Sequence, residues 1–217
     1  MDGGIVKSGD FREADERSED CLRSGRPELN LAALKLELFP GDVFGASRFL
    51  RTLNLRNNCL EYLPSNLDLL ACLEILNLSH NKLRAVPALP VSLEKLNLDH
   101  NKLAELDASI GRLERLRELY VRNNRLLALC PELSECVRLE TFEAGNNLIE
   151  RFPAGFDSKR LPNLRVVDFS GNPVKQWPWS IQCLQEAHPI LTSAEERRKL
   201  VKRNLRTKAA VNRKLLV

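Results

Sequence analysis

Leucines recur along this chain at fixed offsets, with polar residues filling the gaps between them. From Leu50 it reads L-R-T-L-N-L-R-N-N-C-L, from Leu73 L-E-I-L-N-L-S-H-N-K-L, and from Leu93 L-E-K-L-N-L-D-H-N-K-L. From Leu116 it reads L-R-E-L-Y-V-R-N-N-R-L, and worn copies begin at Leu139 and Leu164. A degraded first copy, L-N-L-A-A-L-K-L-E-L-F-P, begins at Leu29. From Leu50 onward the copies start 20 to 25 residues apart. A period of that size marks a stack of supersecondary units, each able to bury its apolar side only against its neighbours. Such stacks present long concave surfaces that bind.

The L-x-L segment alternates, which is the signature of a short strand. Its inward residues are Leu53 and Leu55, Leu76 and Leu78, Leu96 and Leu98, Leu119 and Val121, Phe142 and Ala144, then Val167 and Phe169. Parallel stacking at roughly 4.8 Å per strand gives a concave sheet on the order of 30 Å long. The expected fold is therefore α/β: a solenoid of about seven repeats, with a parallel concave sheet and short helical or extended convex segments. The copy from Leu73 carries V-P-A-L-P, whose prolines favour an extended convex segment. The copy from Leu139 is the longest, and its extra residues should bulge on the convex side or edge.

One polar residue recurs inside this pattern. Asn58, Asn81, Asn101, Asn124, Asn147 and Asn172 each follow the second strand residue by three. There the chain leaves the sheet, and an unpaired buried backbone group costs about 1–3 kcal/mol. A side-chain amide both donates and accepts, so a stacked row of asparagines can satisfy successive turns. The first copy has Leu34 at this place, which suits a terminal capping repeat.

These copies, with their Asn row, resemble the intracellular leucine-rich repeat proteins. The resemblance covers about three quarters of the chain, and the L-P-x-x-L-x-x-L continuations are similar to the Ras-group type. The stretch after Phe169 is similar to the C-terminal cap of intracellular members, with Asn172–Pro173, Ile181–Leu184, Pro189 and Glu196–Arg197 at roughly the cap's places. The Leu-Asp that usually precedes the E-R pair is missing. The resemblance implies protein binding by the concave face and no common catalytic activity.

The inward positions hold the fold, so specificity is expected on the outward ones. Asn54, Asn77 and Asn97 make a polar row that could hydrogen-bond along the sheet or to a partner. Tyr120, the aromatic of this face, has Arg56, Asp99, His100, Arg122 and Glu143 around it, and Asp168 follows on the last strand. A tyrosine among arginines and carboxylates has the composition of a binding hot spot. His80 and His100 occupy equivalent positions beside Asp99, but a structural metal site needs about four ligands. No further Cys or His falls on that face, so no metal is assigned. Phosphate-loop, nucleophile-elbow and zinc-protease motifs are absent, so no enzyme and no cofactor are expected.

Charge and composition then divide the chain. Of its net +4, residues 1–20 carry −4 and residues 193–217 carry +7, which leaves the repeat body near neutral. Residues 1–25 read as a disordered acidic segment, 26–190 as the repeat domain with its cap, and 191–217 as a basic helix. That helix opens with a capping box at Ser193 and Glu196. Its basic residues include Arg197, Arg198, Lys199, Lys202, Arg203 and Arg206. It either packs on the last repeat or offers an arm to an acidic partner such as tubulin, RNA or an acidic protein. The six cysteines are scattered and read as free thiols. No apolar run has the length of a membrane span or signal peptide, so an intracellular monomer is expected. The functional expectation is a non-catalytic protein-binding adaptor or scaffold, in the cytoplasm and in signalling. The alternative is a structural subunit of a cytoskeletal, axonemal or ribonucleoprotein assembly held by the basic helix.

Overall fold

The protein is described here by a computed structural model, which covers residues 9–175, with side chains from residue 11. Seven three-residue strands lie in one parallel sheet in simple chain order. They are β1 (Glu28–Asn30), β2 (Thr52–Asn54), β3 (Ile75–Asn77), β4 (Lys95–Asn97), β5 (Glu118–Tyr120), β6 (Thr141–Glu143) and β7 (Val166–Asp168). Their register aligns Leu29, Leu53, Leu76, Leu96, Leu119, Phe142 and Val167 in one row. Every member of that row is buried. Each fully buried aliphatic side chain is worth about 1.5–3 kcal/mol relative to exposure, so this row and its companions dominate the stability. Seven strands, one per copy, make this an α/β leucine-rich repeat solenoid.

On the convex side the chain returns through 3₁₀ segments at Gly41–Ala46, Leu67–Leu69, Ala108–Arg112 and Pro131–Glu135. None lies between β3 and β4, where Pro87 and Pro90 hold the shortest copy extended. The longest copy returns through turns at residues 153–160, and its core changes from leucine to phenylalanine. Phe142 meets Phe169 edge-on at 5.3 Å and Phe156 at 5.9 Å. Larger side chains fill the space that the longer return opens.

The asparagines tie the stack together. Nδ2 of Asn101 donates to Leu98 O at 3.0 Å in its own repeat and to Leu78 O at 3.0 Å in the one before. Its Oδ1 accepts from Leu83 N at 2.9 Å, also in the repeat before. The same pattern repeats at Asn58, Asn81, Asn124, Asn147 and Asn172.

The N-terminal segment differs from the disorder expected of residues 1–25. Residues Gly9–Ser24 form a helix, α1, packed on β1 and on the Gly41–Ala46 segment. Its contact stripe is Ala14, Ser18 and Cys21, all buried and spaced by four and three. Small side chains let the helix sit close, and the charges that suggested disorder lie on its other faces. In β2, Asn54 O accepts from Leu31 N of the preceding repeat. The equivalent Asn30 O faces the open edge of the sheet, and Arg17 Nη1 donates to it at 2.9 Å. The cap residues from 176 onward, and the basic residues Arg197, Arg198, Lys199, Lys202, Arg203 and Arg206, lie outside the described residues.

Candidate functional site

Outward side chains of the seven strands, and of the residues just before and after them, form rows across the concave face. The row just before the strands is Arg51, Glu74, Glu94, Arg117, Glu140 and Arg165, where both signs of charge are mixed. Arg51 pairs with Glu74, and Arg117 pairs with Glu94 at 3.8 Å and Glu140 at 2.9 Å. All are exposed or half-exposed, and such pairs are worth about 0–1 kcal/mol each. They set the charge pattern of this border more than its stability.

The asparagine row is spent largely on the protein itself. Asn77 Oδ1 accepts from Ser79 N at 3.0 Å and from Ser79 Oγ at 2.8 Å. Asn54 and Asn97 likewise accept from the backbone N–H two residues on, at 3.1 and 2.9 Å. These short loops fix the strand exits, which is a common use of Asn. Only the remaining amide capacity faces outward.

Tyr120 breaks that row, because a phenol cannot make the same loop. Asp99 of the neighbouring repeat takes over, its Oδ1 accepting from Arg122 N at 2.6 Å. Burial raises the Asp99 carboxyl above its ordinary value, opposed by Arg122 and the two histidines. The half-buried Tyr120 ring has Lys95 Nζ 5.3 Å from its centroid. Its hydroxyl donates to Glu118 Oε2 at 2.7 Å, and Lys95 Nζ lies 2.6 Å from the same oxygen. Lys95 holds the Glu118 carboxyl below its usual value. Burial, with Glu118 beside it, holds the Tyr120 phenol protonated far above its usual range.

Arg122 is committed to the fold. Its Nη1 lies 3.1 Å from Glu143 Oε2, and its Nε donates to Asp168 Oδ2 at 3.0 Å. Nη2 is 2.9 Å from the same Asp168 oxygen but makes no directed hydrogen bond. The Arg122 side chain is 27% exposed, and those of Glu143 and Asp168 are each 12% exposed. Burial raises the Glu143 carboxyl despite the arginine, and Asp168 and Asp99 add to the rise.

Of the residues singled out from sequence, Asp99, Tyr120, Arg122, Glu143 and Asp168 therefore form one connected cluster on β4–β7. Arg56 stands apart, exposed and without an ion pair among the described residues. His80 and His100 stack on the rim with ring centroids 4.2 Å apart. Lys95 and Glu118 were not singled out from sequence. Their signal was present as opposite charges in equivalent places of adjacent copies, which the register aligns directly. Among the described residues no group of three or more His, Cys, Asp or Glu is placed to hold a metal ion. No helix among them is long and apolar enough to cross a membrane.

Comparison with known proteins follows the repeats. The Leucine Rich Repeat family profile matches residues 72–90 and 92–113, and a second Leucine Rich repeat profile matches 46–62. The chain is 32% identical over 120 residues to the PH domain leucine-rich repeat protein phosphatase 1 of Rattus norvegicus. That match covers 55% of this chain and only 6% of the rat protein. The leucine-rich repeat domain of a Shigella effector superposes with a TM-score of 0.65 at 26% identity, covering 82% of this chain and 73% of that one. YopM from Yersinia enterocolitica gives 0.60 at 27% identity over 78% of this chain and 35% of its own. An internalin from Listeria monocytogenes shares the fold, with a TM-score of 0.61 at 19% identity over 73% of this chain and 44% of its own. The repeated strands, the asparagine row and these matches agree: the chain carries leucine-rich repeats stacked as in the leucine-rich repeat proteins it is similar to.

Proposed function

We propose that this protein is a non-catalytic adaptor or scaffold that takes a partner protein on its concave strand face, inside the cell. The observation that carries this reading is Tyr120, the single aromatic ring among the outward strand positions, at the fifth of seven strands. An amphipathic ring held by Glu118 and Lys95 offers a rigid apolar contact at low entropic cost, as hot-spot tyrosines do. The exposed Arg56 supplies a second contact toward the other end of the face. Five free thiols among the described cysteines support the intracellular placement. Signalling is the role in which such an adaptor fits.

The test places a photo-crosslinking residue at Tyr120, at Arg56 and, on the convex side, at Glu105. Cross-linked partners should appear at the first two positions and be absent at the third. Equal capture at all three, or capture at Glu105 alone, overturns the concave placement.

A further inference from the structure

The rim of the concave face carries a row that the binding reading leaves unused. Asn57, His80, His100, Asn123, Asn146 and Gly171 occupy equivalent places just past the strands, and all have positive φ, between 53° and 69°. Asn and His are among the few non-glycine types enriched in that conformation. The shared conformation brings side chains of adjacent repeats into register, and the His80 and His100 rings stack with an interplanar angle of 12°.

The hydrogen bonds along this row have a direction. Asn146 Nδ2 donates to Asn123 Oδ1 at 3.1 Å. Asn123 therefore presents its NH₂ to His100, whose Nε2 lies 3.2 Å away. Nε2 must accept, so the proton sits on Nδ1 and the ring is neutral. A proton on Nε2 would set N–H against N–H. Relieving that requires the Asn123 amide to turn over, and then the Asn146 amide. Gly171 lets the Asn146 amide lie against it, since a Cβ there would stand 2.2 Å from Asn146 Oδ1.

The charged groups facing the pair are few. Burial acts first against a charge on His80, and His100 on one side and Arg56 on the other act in the same direction. Asp99 is the opposing carboxylate. Arg122, on the next strand, is already engaged by Glu143 and Asp168. Two imidazolium rings stacked at 4.2 Å would repel strongly. A charge on His100 therefore opposes one on His80.

We propose that His80 and His100 form a proton-operated switch on the rim of the concave face. In the neutral state the pair is locked by the Asn146–Asn123–His100 relay. A proton on His100 Nε2 makes the relay run in reverse, and a proton on His80 sets a second positive charge beside Arg56. This inference is independent of the partner-binding reading, because it concerns the free protein.

Histidine NMR on the full chain tests it, and with three histidines in the sequence the spectrum is simple to assign. Ring ¹⁵N shifts above pH 7.5 should report the Nδ1–H tautomer at His100. On lowering pH, His80 should titrate below 6.5. His100→Asn, which installs the residue found at positions 57, 123 and 146, should return the His80 midpoint toward 6.5. Asn123→Ala should release the His100 tautomer by removing the partner of Nε2. An Nε2–H tautomer at His100 overturns the proposal, as does a His80 midpoint that ignores His100→Asn. The tautomer is measured on the unaltered protein and decides the matter even where a variant fails to fold.

Discussion

Arg122 and Asp168 are 46 residues apart and meet across an intervening strand, Nε to Oδ2 at 3.0 Å. The contact depends on Gly145, which lies between them on the face. A Cβ at Gly145 would stand 2.9 Å from Asp168 Oδ2 and 3.2 Å from Ser170 Oγ. Three repeats are thus joined through one guanidinium, with Glu143 of the middle repeat on its Nη1 and Gly145 leaving room for Asp168.

Gly145→Ala should therefore destabilise by about 1–3 kcal/mol, by pushing the Asp168 carboxylate away from Arg122. A double-mutant cycle with Arg122→Ala and Asp168→Ala, read by urea unfolding, should show a coupling of about 0.5–3 kcal/mol that falls sharply in the Gly145→Ala background. Equal coupling in both backgrounds would remove the glycine from the account.

Glu143 gives an unusual pH dependence. Its folded carboxyl is raised above 4.5, first by burial and then by Asp168 and Asp99. The folded state then holds this proton more tightly than the unfolded chain. The contribution to stability is present below 4.5 and is lost as pH rises through the folded value. Glu143→Gln is expected to be neutral or stabilising at pH 7, with the difference from the parent shrinking as pH approaches 4.5. A variant that is clearly less stable at pH 7 would show that the Arg122 pair outweighs the burial cost.

Asn101→Leu removes a buried amide that serves two repeats. It strands Leu78 O, Leu98 O and Leu83 N without their side-chain partner. Each stranded buried group costs about 1–3 kcal/mol, so thermal unfolding should shift down by many degrees. Asn97→Ala on the concave face should cost far less, since its one loop bond to Asp99 N is half-exposed. Similar losses for the two would mean that the ladder is not what holds the turns.

The helix α1 makes a prediction about association. Ala14→Arg places a long charged side chain at a fully buried contact and should detach the helix from β1. The uncovered edge offers unpaired strand groups, which template pairing with another chain. Sedimentation velocity should then show dimers and larger species that grow with concentration. A monomer at every concentration would mean that α1 does not guard this edge.

Much of this fold is legible in the leucine and asparagine columns, because identical copies must solve identical packing problems. The connected cluster is less legible. Asp99, Tyr120, Arg122 and Glu143 stand out as residue types, but their pairings depend on which neighbour is missing a side chain, and Gly145 reads as an empty place in a single copy. The asparagines of the concave row suggested partner contacts, while Asn77 and its equivalents bind their own backbone, a choice set by local turn geometry. For α1 the stripe Ala14, Ser18 and Cys21 was present, but small residues carry little hydrophobic signal and seven acidic side chains in residues 1–20 obscured it.

The asparagine ladder also orders events in time. Each Asn reaches back to a carbonyl and an N–H of the repeat before it, so a repeat's turn is complete only once its successor has arrived. A ribosome supplies this chain from the N-terminus. Each newly made repeat therefore finishes its predecessor and is itself left open at the growing end. With α1 emerging first to cover β1, the stack can consolidate in the direction of synthesis, and a pause between two copies would expose one unfinished turn.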